Sequence, residues 1–245
     1  QEVYEQVVEA YMAGLEKFAS RGGDLNRVAS VASFFISRID TAIDTLIAAR
    51  LQAAKNPREE GILRGLTGKV AVANAKLTYQ RYQELFISRR WQALAGKGAQ
   101  TQRLLWASTS TKNPKYRDVV YVEELIGPDT VNTSPPATFE AFRDHGRPRA
   151  SLTEDVDCAF DTMSALAEVG ISMKDTANTL LAEGVQIFSD AFAKLLTAVK
   201  KQSKEAGAGK INRLTYQLPD PLAAAVKASL AEWRAQGKVR KLWGR

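Results

Sequence analysis

The sequence contains one cysteine, Cys158, and one histidine, His145, among its 245 residues. A single cysteine cannot form a disulfide within the chain, and a single imidazole excludes the metal sites and catalytic triads that need two histidines. The chain also has no glycine-rich loop of the dinucleotide-binding or Walker type. No apolar run reaches the roughly 18 residues that a membrane-spanning helix requires. We therefore expect a cytoplasmic protein with no cofactor, no metal and no membrane partner.

The charge is distributed unevenly along a chain of otherwise ordinary globular composition, with 45% hydrophobic and 25% charged residues. Residues 197–245 hold 11 lysines and arginines against three acidic residues, whereas residues 1–196 hold 23 basic and 24 acidic residues. A pI of about 9.5 and the basic cluster Lys238–Arg245, with Trp243 for stacking, leave a nucleic-acid-binding protein as one alternative. Because the body is nearly neutral, we predict no nucleic-acid partner.

Three short strands alternate with helices in the predicted secondary structure. Val28–Ile36 is continuous in small and apolar residues, as expected for a strand buried on both faces, and further strands are predicted at Gln102–Ala107 and Thr130–Thr133. A helix over Val3–Phe18 precedes the first strand, and an amphipathic helical stretch over Leu66–Leu85 precedes the second. This alternation is typical of a parallel α/β fold, because parallel strands need crossovers that are usually helical.

Further helices are predicted between and after these strands. One helix begins at Pro114 and continues to Leu125, and another begins at Pro136. Residues 152–201 are predicted to be helical with a break at Gly170. Their expected core residues are Phe160, Met163, Leu166, Leu180, Leu181, Val185, Phe188, Phe192, Leu195 and Leu196. A linker at Ala206–Gly209 and a helix over Leu222–Ala235 complete the predicted elements.

Cationic side chains follow the first two predicted strands. Arg38 comes directly after the first, and Lys112 ends the polar loop Ser108–Asn113, which contains the hydroxyls of Ser108 and Ser110. Two cations at successive strand ends point to a phosphorylated substrate, since phosphate needs charge-assisted donors in fixed positions. Two alternatives stay open at this point: Arg38 could form a structural ion pair with Asp40 or Asp44, and the loop could be a capped turn.

Two other parts of the sequence bear on the chemistry. Asn132, at the end of the third predicted strand, is a candidate pocket residue. Schiff-base chemistry would require a lysine on a barrel strand in apolar surroundings, which lower its pKa by desolvation. The predicted strands contain no lysine, and Lys69 and Lys76 fall in a helical stretch.

Four segments of this sequence resemble transaldolase in its longer bacterial form. The resemblance runs from about Tyr4 to Lys200, and its most specific block is Trp106–Pro114, read as WASTSTKNP. The four segments are Val28–Asp40, Ala73–Gln80, Leu105–Pro114 and Tyr121–Thr133. The resemblance implies an (α/β)8 barrel that uses a lysine Schiff base to move a dihydroxyacetone unit from sedoheptulose 7-phosphate to glyceraldehyde 3-phosphate.

The resemblance also implies roles for particular residues. Ser33 and Arg38 would contact a substrate hydroxyl and phosphate, and Lys112, with Ser108 and Ser110 nearby, would complete the phosphate site. The Schiff-base lysine and its acidic neighbours fall before the segment that matches Gln1. We therefore expect strands six to eight of a barrel without its N-terminal half, a fragment that is inactive alone and prone to aggregate or oligomerise.

The C-terminal part of the chain resembles the junction of fused transaldolase/glucose-6-phosphate isomerase proteins. This likeness rests on Lys210–Pro219 and Glu232–Trp243. It implies a partial barrel over residues 1–205, a linker and the start of an isomerase-like region over residues 206–245, and truncation at both ends. Another sugar-phosphate aldolase with an α/β barrel is the remaining enzymatic alternative.

Overall fold

The computed structural model describes residues 2–54, 56–205 and 217–238, and in these residues a parallel three-stranded sheet is combined with helices. The strands are β1 (Ser30–Phe35), β2 (Gln102–Ala107) and β3 (Thr130–Asn132), arranged in the order β1-β2-β3. The helices are α1 (Glu2–Ser20), α2 (Ile36–Ala53), α3 (Pro57–Leu66), α4 (Val70–Phe86), α5 (Arg89–Ala95), α6 (Val120–Glu123), α7 (Pro136–His145), α8 (Val156–Glu168), α9 (Met173–Glu205) and α10 (Asp220–Ala235). The prediction of a parallel α/β fold is confirmed.

One face of the sheet packs against helices and carries the main core. Ala32, Phe34, Leu104 and Trp106 lie on this face, where they meet residues of α1 and α4. Phe34 contacts Tyr4 edge to face, with ring centroids 5.6 Å apart, and lies 5.9 Å from the ring of Trp106. Burial of these aromatic side chains fixes the sheet on its helices.

The other face of the sheet is open in the described residues. Val31 and Phe35 of β1 are 41% and 42% exposed, and Ser33 between them is exposed as well. The register places Arg103, Leu105 and Ala107 of β2 beside these three residues. The prediction that the first strand is buried on both faces is therefore wrong, because its side chains alternate between a packed and an uncovered face.

Several other predicted elements differ from the structure in extent. The first strand is shorter than predicted because Ile36 begins α2, and the stretch Leu66–Leu85 is divided by a turn at Gly68, whose φ is +70°. The helix predicted from Pro114 to Leu125 is a series of turns followed by the four-residue α6. Tyr116 and Tyr121 in this segment are bonded to side chains of α2, which holds the chain in turns.

The predicted C-terminal core is largely wrong. Met163 is partly buried and Leu166 is buried, because this face of α8 packs in the clusters formed with α2, α3 and α4. Phe160, Leu181, Val185, Phe188, Phe192, Leu195 and Leu196 are instead exposed. Helical spacing identifies an apolar face, but it does not establish that another element covers that face.

The chain divides into two units, residues 1–184 and 185–245, and α9 extends from the first into the second. The second unit contains α10, which confirms the helix predicted at Leu222–Ala235. The predicted linker Ala206–Gly209 and most of the basic cluster Lys238–Arg245 lie outside the described residues. Among the helices that the structure describes, none is long and apolar enough to cross a membrane.

Leu104 offers a test of the packed sheet face, since its side chain is fully buried in the centre of β2. We expect Leu104→Ala to lower the free energy of unfolding by about 3 kcal/mol through lost burial and the resulting cavity. Leu46→Ala is the matched control, because Leu46 is 44% exposed on α2. Urea unfolding of both variants checks this packing, and equal losses would contradict it.

Candidate functional site at the carboxyl ends of the strands

The Arg38 side chain lies at the carboxyl end of β1, beside the open face of the sheet. Its guanidinium carbon is 4.8 Å from the centroid of the Phe35 ring, an arrangement in which a cation contacts an aromatic face. Ser33 and Phe35 are two residues apart on β1, so their side chains lie on the same face of the sheet. The strand and the first turn of α2 thus bring Ser33 and Arg38 to the same side of the sheet.

The carboxylates that could have paired with Arg38 have other partners. Asp40 accepts hydrogen bonds from the Ala71 amide and the Tyr121 hydroxyl, at 2.8 and 2.7 Å. Asp44 accepts from the Gly68 amide and the Tyr116 hydroxyl. Within the described residues Arg38 has no carboxylate partner, so the structural ion pair considered from the sequence is not formed.

A junction between the start of α2 and the loop after β2 joins the two predicted phosphate-binding segments. The Ser37 and Ser108 hydroxyl oxygens are 2.8 Å apart, and the Ser37 amide donates to the Ser108 carbonyl at 3.1 Å. Ser108 has a φ of +57°, in the left-handed region that costs a non-glycine residue free energy. The two contacts to Ser37 hold this strained turn in place.

Lys112 and Ser110 lie in the same loop as Ser108. The Lys112 ammonium donates to the Ser110 hydroxyl at 2.9 Å, and the Lys112 side chain is exposed. The loop therefore carries a cation and a hydroxyl a few residues after Ser108, which contacts the first turn of α2. Phe35, at the cap position of α2, contributes no side-chain capping bond.

Asn132 belongs to a different set of contacts. Its amide oxygen accepts a hydrogen bond from the Thr109 hydroxyl at 2.9 Å, which ties β3 to the loop after β2. The register pairs Asn132 with Trp106, on the packed face of the sheet rather than the face of Ser33. The structure thus joins Ser108 to the first turn of α2, which carries Arg38, and bonds Lys112 to Ser110 and Asn132 to Thr109 in the loop after β2.

The sequence did not predict the contacts that support this site, which are made by Ser37, Asp40, Asp44, Tyr116 and Tyr121. The available signal was the four-residue spacing of Asp40 and Asp44, which places both carboxylates on one face of α2. The hydroxyl donors could not be assigned from spacing, because Tyr116 and Tyr121 come from a segment more than 70 residues further along the chain.

Burial sets the electrostatics of these aspartate–tyrosine pairs. Desolvation raises the pKa of Asp40 from 3.8 to about 6, against the hydrogen bonds from Tyr121 and Ala71, which lower it. Desolvation is also the main cause that raises the pKa values of Tyr116 and Tyr121, with the aspartate charges adding to it. Both tyrosines are therefore protonated hydrogen-bond donors at neutral pH.

A cleft of about 270 Å³ lies between α4 and α8, and none of the predicted site residues lines it. Lys76 in this cleft is 5% exposed, and its ammonium donates to the Glu154 carbonyl at 2.9 Å and lies 3.8 Å from the Glu124 carboxylate. These oxygen partners hold the Lys76 side chain between α4, the end of α6 and the lead-in to α8.

The fold and this edge define a parallel α/β protein with cationic and hydroxyl groups gathered where its strands end. Residues 2–199 match the model of the family described as Transaldolase/Fructose-6-phosphate aldolase. The chain belongs to this family.

Three proteins named transaldolase are similar to this chain in sequence. A transaldolase of Trichodesmium erythraeum is 44% identical over 206 residues, and Transaldolase 2 of Nostoc punctiforme is 47% identical over 206 residues; each match covers 83% of this chain and 54% of the relative. A transaldolase of Frankia alni is 44% identical over 205 residues, covering 83% of this chain and 53% of the relative. The chain thus spans about half the length of the curated relatives it matches.

Asp40 gives the site a pH-dependent contribution to stability. Folding raises the pKa of Asp40, so the protonated side chain stabilises the folded state. This stabilisation is fully present below about pH 4 and is lost as the pH rises through about 6. We expect the free energy of unfolding of the wild type, relative to Asp40→Asn, to fall by about 2 kcal/mol between pH 4.5 and 7.5. Urea unfolding at several pH values measures this difference. A difference that is constant with pH would mean that Asp40 titrates alike in the folded and unfolded chain.

Proposed function

We propose that this chain is the phosphate-binding part of a transaldolase, which transfers a dihydroxyacetone unit from sedoheptulose 7-phosphate to glyceraldehyde 3-phosphate through a lysine Schiff base. The observation that carries the proposal is Arg38, which lies beside the open sheet face with no carboxylate partner among the described residues. A guanidinium in this position has its planar set of donors available for phosphate oxygens. Membership of the family and the relatives named transaldolase support the reaction class.

The proposed roles follow from where the side chains lie. Arg38 and Lys112 bind the phosphate group, with the hydroxyls of Ser108 and Ser110 as further donors, and Ser33 contacts a substrate hydroxyl on the open face. The Asn132 side chain, bonded to Thr109, fixes the loop and does not contact substrate in this proposal. No metal or cofactor takes part.

The Schiff-base lysine of this proposal belongs to a preceding half-barrel outside this chain. β1, β2 and β3 contain no lysine, and the chain covers about half of its relatives. The open face with Val31, Ser33 and Phe35 is then the interior wall of the complete barrel, with the three strands as its sixth to eighth. The partner needed for catalysis is that missing half-barrel.

Two further parts of the proposal concern the whole protein. The likeness of Lys210–Pro219 and Glu232–Trp243 to a fused junction supports a following glucose-6-phosphate isomerase region, although residues 210–216 and 239–243 lie outside the described residues. A cytoplasmic location, the absence of nucleic-acid and membrane partners, and a tendency of the chain to aggregate or oligomerise stay predictions.

A second candidate function is favoured by the description of the family itself, which pairs transaldolase with fructose-6-phosphate aldolase. An aldolase would release free dihydroxyacetone and would use the same phosphate-binding edge. The two activities differ in whether an aldehyde phosphate is needed as acceptor, so one assay with and without that acceptor separates them.

A chimera tests the proposed function within a complete barrel. The segment of the Nostoc punctiforme relative that matches this chain is replaced by the corresponding residues of this chain. We expect the chimera to convert fructose 6-phosphate and erythrose 4-phosphate, and Arg38→Met or Lys112→Met within it to lower kcat/KM by about 10- to 100-fold through loss of a charged hydrogen bond.

Arg89→Met and Lys17→Met are the matched controls for these two variants. Each removes an exposed cation of the same type, but from α5 or α1, which lead into the amino ends of β2 and β1. The controls are expected to keep the activity of the chimera. A folded chimera that loses no activity with Arg38→Met would contradict the assignment of the phosphate site.

The 245-residue chain alone should not form a Schiff base. Borohydride reduction in the presence of fructose 6-phosphate is expected to leave no reduced adduct, because the described strands carry no lysine and Lys76 is held by oxygen partners. Mass spectrometry of the intact chain checks this outcome, with the chimera as positive control. A stoichiometric adduct on any lysine of this chain would overturn the proposed division of the site.

A further inference from the structure

Two aspartates on one face of α2 connect three separate parts of the structure. Asp40 is 1% exposed and accepts from the amide of Ala71, in the first turn of α4. Asp44, one helical turn further, accepts at 3.0 Å from the amide of Gly68, just before the same helix. Both carboxylates thus attach α2 to the beginning of α4.

Each carboxylate also accepts a hydrogen bond from the segment that follows the Lys112 loop. The Tyr121 hydroxyl donates to Asp40 at 2.7 Å, and the Tyr116 hydroxyl donates to Asp44 at 2.5 Å. The α2 helix carries Arg38 in its first turn and is hydrogen-bonded to the chain both before and after Lys112. Before Lys112, Ser37 contacts Ser108. After Lys112, the two aspartates accept from Tyr116 and Tyr121.

The packing around Asp44 leaves little freedom for this arrangement. Gly68 has a φ of +70°, and a Cβ atom added there would lie 2.7 Å from the Tyr116 ring. The tyrosine therefore lies directly against a glycine backbone while it donates to Asp44. Such close contact fixes the position of the ring and, through it, the end of the loop.

We propose that Asp40 and Asp44 are positioning residues of the anion site, which with Tyr121 and Tyr116 fix the first turn of α2 against the Lys112 loop so that Arg38 and Lys112 face one phosphate group. This inference rests on the proposed function. The arrangement has a second effect: it occupies the two carboxylates nearest to Arg38 in sequence, so that they do not compete with phosphate for its guanidinium. The four hydrogen bonds that Asp40 and Asp44 accept therefore position Arg38 and Lys112 and also leave these two cations available to phosphate.

A role in positioning differs from a role in general stability in what it does to anion binding. Loss of a buried hydrogen bond lowers stability wherever it occurs, whereas only bonds that place Arg38 and the loop should alter the affinity for phosphate. Tyr79 provides the comparison, because its side chain is also buried and its hydroxyl also donates a hydrogen bond, at 3.2 Å to the Pro128 carbonyl.

The experiment compares Tyr116→Phe, Tyr121→Phe and the control Tyr79→Phe in the 245-residue chain. Inorganic phosphate is titrated at constant ionic strength and pH 7.5, and binding is followed by amide chemical shifts. We expect Tyr116→Phe and Tyr121→Phe each to weaken phosphate binding by about three- to tenfold, and Tyr79→Phe to leave it unchanged. Thermal unfolding of the same samples reports the loss of stability separately.

The same tyrosine substitutions are then made together with Arg38→Met. Because the tyrosines place Arg38 as well as the Lys112 loop, each substitution should weaken binding less in this background than in the presence of Arg38, although both should still lower the midpoint of thermal unfolding. Weakening by Tyr79→Phe equal to that of the other two, or equal effects with and without Arg38, would overturn the positioning role.

The outcomes separate this inference from the proposed function. If Arg38→Met abolishes phosphate binding but Tyr116→Phe and Tyr121→Phe do not weaken it, the positioning role is wrong and the phosphate site stands. If the wild-type chain binds no phosphate, or if Arg38→Met leaves binding unchanged, the proposed phosphate site is wrong and the positioning role falls with it.

Discussion

The parallel pairing of β1 with β2 is the constraint on which the rest of the described site depends. Six residues of each strand are in register, from Ser30 beside Gln102 to Phe35 beside Ala107. Because the strands are parallel, both carboxyl ends reach the same edge, and the chain must leave that edge through α2 in one case and through a loop in the other. Ser37 and Ser108, 71 residues apart in sequence, meet there as a direct result.

The same pairing determines which side chains share a face. The two-residue period of a strand puts Ser33 and Phe35 together on the open side and Ala32 and Phe34 on the packed side. Arg38 lies against the Phe35 ring at the end of that strand, beside the open side. A slip of one residue in the register would move all of these groups to the opposite faces. The large packed aromatics Phe34 and Trp106 oppose such a slip.

Local sequence signals predicted the elements of the sheet well. The bounds of β2 are confirmed, and β1 and β3 lie within the predicted strands, since β-branched and aromatic runs between turn residues are strong indicators. The segment after Pro114 could not be predicted, because its helical spacing is outweighed by the bonds from Tyr116 and Tyr121 to α2. Long-range hydrogen bonds of this kind leave no pattern in the neighbouring sequence.

Arg38 and Lys112 stay predicted phosphate ligands, whereas the contacts that support them could not be predicted. Their position after two predicted strands is visible in the sequence, and in the structure Ser37 and Ser108 join the two segments that carry them. The sequence left undecided whether Arg38 pairs with Asp40 or Asp44, since spacing permits the contact. Only the fold shows that the amides of Gly68 and Ala71 and the hydroxyls of two tyrosines donate hydrogen bonds to those carboxylates. The exposure of Phe188 and Phe192 on α9 likewise depends on what lies beside the helix.

The charged contacts around Lys76 have a consequence for how this part of the chain opens. Lys76 of α4 is bonded to the Glu154 carbonyl just before α8, and Arg149 pairs with both Glu124 and Glu154. These bonds join α4, the end of α6 and the lead-in to α8, so that α8 cannot detach with this lead-in without breaking the bonds that Lys76 and Arg149 make to Glu154. Amide hydrogen exchange in α8 should then follow the exchange of α4 rather than that of a surface helix.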